Sequence, residues 1–103
     1  MLYGIMRHMS EAVLIFSYKA KQGNFIVDMR IWHLPTPDSH RPHGVHFRLF
    51  FGRSGACEVL YDTHTRKAAY RHIDGQGEPY EFTTVEVLVD DFATDCAARG
   101  WKW

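Results

Sequence analysis

The chain lacks the features that would place it in a membrane or in a disulfide framework. No apolar run among its 103 residues approaches the roughly 20 that span a bilayer as a helix. The opening MLYGIMRHMS has no charged end, long apolar run and small-residue cleavage site of a secretion signal. Cys57 and Cys96 form no CxxC pair, so two unlinked, buried thiols in a cytoplasmic protein are expected. There is no HExxH, no Gly-rich phosphate loop, no internal repeat and no low-complexity stretch. Formal net charge is zero, and the acidic C-terminal part argues against indiscriminate nucleic-acid binding by the whole surface. What remains is a globular domain with a real but small core: 46% hydrophobic and 23% charged residues. Residues 1–10 are expected to be a flexible extension and 11–103 a single compact domain.

Period-two alternation dominates what is there. Residues 11–21 read as a strand, with Ala12, Leu14, Phe16 and Tyr18 on one face. Gln22-Gly23-Asn24 turns the chain into a second strand, 25–34. Three prolines in 35–44 make a loop. Residues 45–53 form a third strand, with Val45, Phe47, Leu49 and Phe51 inward and His46 and Arg48 on the opposite face. A fourth strand spans 56–62 and a fifth 67–73; DGQGEP is a turn and YEF a short further strand. One helix is expected over 84–98, capped by Thr83 with Glu86, with Glu86, Asp90, Asp91 and Asp95 toward water. The fold class is therefore α+β: an antiparallel meander of five to six strands with one C-terminal amphipathic helix packed on one face.

Charge is unevenly spread. Residues 40–72 hold six Lys/Arg against two Asp/Glu, a net +4, and five of the seven histidines, whereas 73–103 carry a net −5. YDTHTRKAAYRH, residues 61–72, concentrates this bias. By residue type alone it is a solvated basic hairpin, since charge clusters on loops are common. Asp62 would then cap a turn, and Arg71 would pair with Asp62 or Glu58. The three-residue steps between His40, His43 and His46 do not gather side chains on one side of a loop entering a strand, so no metal site is expected. Trp32 is expected to pack on the sheet. Trp101 and Trp103 either mark an interface or fold back.

The order of IWHLPTP, RPHGVHFRL, YDTHTRKAAYRH, EPYEF and an acidic helix resembles the TumE-type toxin family of bacterial toxin–antitoxin systems. The matching stretches there are aliphatic-Trp-x-x-Pro-x-Pro, PHG before an aromatic-x-aromatic-Arg-Leu, a YDN-E-x-GKGDHRH block and EPY-F. The resemblance covers about residues 12–96. Tyr61, Asp62, Lys67, Arg71 and His72 fall on matching positions, as do His43, Gly44 and Arg48. Tyr70 stands where the family has a histidine, Arg66 and Ala68 where it has glycines, and His46 where it has a lysine.

The resemblance implies a toxin neutralised by a cognate antitoxin, a small helix-turn-helix protein, and class analogy adds RNA as substrate. Metal-independent RNA cleavage needs a base for the 2′-OH, an acid for the leaving 5′-oxygen and cations for the phosphate. His72, with His46 or His43, can move protons near neutral pH, and Tyr70 can donate a proton or stack on a base. Arg48, Lys67, Arg71 and Arg66 suit the phosphate, while Tyr61 and Asp62 orient their neighbours. No cofactor is expected. On a regular strand Arg71 and His72 face opposite ways, so the expected site requires His46, Arg48, Tyr70 and His72 to share one side of the sheet. The competing reading is a non-catalytic module that arrests growth by occluding a protein or nucleic-acid target. Oligomeric state is not readable.

Overall fold

The computed structural model describes residues 11–64 and 68–103. The expected N-terminal extension, and Arg66 and Lys67, lie outside the described residues. Six strands follow one another in space as in sequence: β1 (Val13–Gln22), β2 (Phe25–His33), β3 (Val45–Arg53), β4 (Ala56–Asp62), β5 (Tyr70–Ile73) and β6 (Gln76–Pro79). All neighbours are antiparallel. The helix α1 (Val85–Ala97) closes one face, giving the expected α+β meander.

Alternation builds the core. Val27, Met29 and Ile31 of β2, Phe47, Leu49 and Phe51 of β3, and Val59 and Tyr61 of β4 all point to the same side, where Leu88, Phe92 and Cys96 of α1 meet them. Trp101 folds back to join this core, its ring edge-on to Phe51, whereas Trp103 stays half-exposed against Tyr18. Among the described residues, the other side of the sheet carries no helix.

Several local expectations are corrected. Cys57, expected to be buried, is exposed near the β3–β4 turn, while Cys96 lies in the core. A bulge at Ile15 breaks the alternation of β1: Phe16 pairs with inward Ile31, but Leu14 pairs with Trp32 and turns to the open side. Asp74 and Gly75, both with positive φ, make the β5–β6 turn alone. The chain after it, expected to be turn, is β6, and Tyr80-Glu81-Phe82 is not a strand. Thr84, not Thr83, caps α1, accepting the Val87 N–H. Asp91 and Asp95, expected toward water, instead accept the Tyr80 and Tyr61 hydroxyls. Gly52 is required sterically, since a Cβ there would sit 2.3 Å from the Ala56 carbonyl.

Candidate functional site

Residues opposite each other in an antiparallel pair share a face, so register shows what the open side gathers. One row runs Ser17, Arg30, Arg48, Asp62, Tyr70 across β1 to β5. The next runs Lys19, Asp28, Phe50, Leu60, His72. Trp32 and His46 face each other in the row on the opposite flank. His46, Arg48, Tyr70 and His72 therefore lie on one side, as the expected site demands. Arg71 and Tyr61 pair on the helix side, where Arg71 meets Glu78 at 3.2 Å and Asp95 at 3.7 Å rather than Asp62 or Glu58. His43 is exposed in the loop before β3, its ring tilted against Phe82 at 5.2 Å.

Asp62 is the centre of the open side. Its carboxylate lies 3.3 Å from His64 Nε2 and 3.9 Å from His72 Nε2. Oδ1, the oxygen facing His72, is buried with no hydrogen-bond partner among the described residues. A buried carboxylate oxygen left in this state favours a positive charge or a proton donor beside it. His72 stacks on Tyr70 at 5.9 Å between centroids. Gly77 makes room for that stack: a Cβ there would lie 2.9 Å from the His72 ring and 3.2 Å from that of Tyr70.

A second group feeds His46 from the proline-rich loop. The side chain of Arg41 is 1% exposed. It donates to Asp38 Oδ2 from Nη2 at 2.6 Å and from Nε at 3.0 Å, while Asp38 Oδ1 accepts the Arg41 backbone N–H. These bonds, the side-chain one foremost, hold the Asp38 carboxyl below its ordinary range. Arg41 Nη1 lies 2.9 Å from His46 Nδ1. A guanidinium only donates, so Nδ1 accepts and the imidazole proton sits on Nε2. Thr63 Oγ1, which accepts the Phe47 N–H, lies 2.6 Å from the same Nδ1. Burial first, then the Arg41 charge, pushes His46 down to about 4. It is a neutral imidazole at physiological pH, with an N–H to offer.

Beside these groups the open face dips into a hollow of about 470 Å³. Lys19, Arg30 and Arg48 supply its cations and Asp28 its acid; Ile26, Trp32 and Phe50 are its apolar lining. Sequence reasoning missed Arg41, Asp38 and Thr63, as well as Gly77 and the hollow. The Asp38–Arg41 pair leaves no periodic signal in a loop. The hollow was latent in the alternation that places Lys19, Arg30 and Phe50 outward. Among the described residues no three His, Cys, Asp or Glu side chains are grouped so as to hold a metal ion, and His40, His43 and His46 do not converge. No helix among them is long and apolar enough to cross a membrane.

A family model described as Toxin TumE matches residues 4–100. No curated protein and no solved structure matches the chain.

Proposed function

From the premise that the chain belongs to the TumE toxin family, we propose that it is the toxin of a bacterial toxin–antitoxin pair and a metal-independent endoribonuclease. Its partner would be a small helix-turn-helix antitoxin. The observation that carries this reading is the convergence of His72, Tyr70, Arg48 and His46 around Asp62 on the face left open by the helix.

Each group has a chemical task. His72 takes the proton of the 2′-OH, and the imidazolium that forms faces the Asp62 carboxylate across 3.9 Å. The 2′-oxygen attacks phosphorus, and the bond to the 5′-oxygen breaks. Arg48 pairs with the phosphate oxygens, and His46 donates its Nε2–H to the charge that develops there. The expected proton-transfer role of His46 becomes this donor role, because its Nδ1 is already engaged and its basicity is suppressed. Tyr70 supplies the proton for the leaving 5′-oxygen. Arg66 and Lys67 complete the phosphate-binding set on sequence grounds. Arg71 supports from the far side, through its contacts with Glu78 and Asp95, and His43 stands at the margin.

The test is incubation of purified, antitoxin-free protein with total RNA in EDTA, beside folded His72→Ala. Discrete fragments ending in 2′,3′-cyclic phosphate, reduced about 10²-fold or more in the variant, are the expected result. Intact RNA from a folded protein that still arrests growth would replace the nuclease with a binding module.

A further inference from the structure

The outer face of a sheet covered on one side only is ordinarily polar, with charges of both signs interspersed. Here Trp32, Phe50, Ile26 and Leu60 are each only half-buried on that face. Arg30 and Arg48 stand directly opposite each other across β2 and β3, an arrangement that destabilises a sheet on its own. Arg30 reaches Asp28 at 3.4 Å. Among the described residues, Lys19 and Arg48 have no ion-pair partner. Opposed cations beside aromatic rings, lining one hollow, match a ligand with negative charge at regular intervals and flat apolar faces between. A second hollow lined by Lys21 and Arg53 continues the first through the shared Ile26.

We infer that the hollow over β1, β2 and β3 seats unpaired nucleotides of single-stranded RNA, with Lys19, Arg30 and Arg48 on phosphates and Trp32 and Phe50 against bases. This inference rests on the nuclease reading and names its substrate as a single strand. The strand crosses the sheet from β1 toward β5, four inter-strand steps or roughly 19 Å, and delivers its scissile phosphate beside Asp62 and His72. Arg48 is common to both regions: it lines the hollow and stands opposite Asp62 in the β3–β4 register. A duplex cannot be read this way, because its bases are stacked inward and present no face to Trp32 or Phe50. The stacking rings and the shared arginine favour a nucleotide strand over an acidic protein segment, which would meet the cations but leave the rings unused.

The test is fluorescence anisotropy with a labelled 2′-O-methyl RNA of about twelve nucleotides, which has no free 2′-OH and so reports binding without cleavage. Wild-type protein should bind it more tightly than a duplex of the same sequence, with affinity falling steeply as salt rises. Lys19→Ala with Arg30→Ala should weaken binding roughly tenfold or more, and Phe50→Ala by a similar factor. Lys102→Ala, a charge removed outside the lining of both hollows, should change nothing. No binding by wild type, equal binding of duplex, or unchanged affinity in the hollow variants overturns the inference. So does a loss confined to the complex with the antitoxin, which would assign the hollow to a protein partner. Failure of the nuclease reading looks different: the oligonucleotide binds through the hollow while total RNA in EDTA stays intact.

Discussion

The two faces of this sheet are built to opposite rules. Under the helix most of the polar groups are partnered, the buried Trp101 Nε1 being an exception among the described residues: Tyr61 donates to Asp95, Tyr80 to Asp91, and Arg71 meets Glu78 and Asp95. On the open face Arg30 opposes Arg48, Asp62 Oδ1 has no hydrogen-bond partner among the described residues and His46 is held neutral. A chain of this size has little stability to spare. The like-charge pair and the unpartnered carboxylate oxygen both lie on the open side, so stability is drawn mainly from the helix side, and the open side is the one left to serve the proposed ligand.

The sharpest way to break this division is to truncate one aromatic on each face. Phe92→Ala should cost about 3–5 kcal/mol, because the ring is fully buried against Tyr61. Phe50→Ala, half-exposed on the open side, should cost about 1 kcal/mol or less. Urea titration of both variants decides it. Equal losses would mean that the open face is also structural.

An intermediate effect comes from His46. Its folded value of about 4 lies below the ordinary 6.5, so between those values the unfolded chain binds a proton that the folded chain refuses. Stability is therefore fully present above about pH 6.5 and falls as pH drops toward 4, by on the order of 2–3 kcal/mol. Urea midpoints at about pH 7 and about pH 4.5 should differ in wild type and differ less in His46→Gln. A slope unchanged by the substitution would place the titration elsewhere.

The smallest effect has the opposite sign. Arg30→Thr removes a like-charge pair and puts a β-branched residue on the strand. It should stabilise by roughly 0.2–1 kcal/mol, read as a raised melting temperature at low salt, while weakening RNA binding. Destabilisation would show that Arg30 is held by its neighbours.

Much of this was legible beforehand. Inward Val45, Phe47, Leu49 and Phe51 put His46 and Arg48 outward, and inward Tyr61 put Leu60 and Asp62 with them. Tyr70 and His72 then joined through register alone. β6 was not legible: Gln76-Gly77-Glu78-Pro79 is exposed throughout, so no hydrophobic alternation marks it, and only pairing with β5 makes it a strand. Ile15 misled for a different reason. A bulge inserts one residue without changing composition, and parity before it is lost. The docking side of α1 decided that Asp91 and Asp95 would serve the two tyrosines, and a helix's own periodicity does not report which polar flank meets a hydroxyl.

The unbroken order β1 to β6 also has a consequence in time. Every strand pairs with the one made just before it, so the sheet can assemble progressively as the chain emerges from its N-terminal end. All residues of the open face are made before α1, yet the sheet's inner side stays uncovered until Leu88, Phe92, Cys96 and finally Trp101 arrive. The order of synthesis thus sets a sequence of events: the face with His46, Arg48, Asp62 and His72 is laid down first, and the side chains that lock the sheet beneath it, Trp101 the latest of them, come only after every strand has been made.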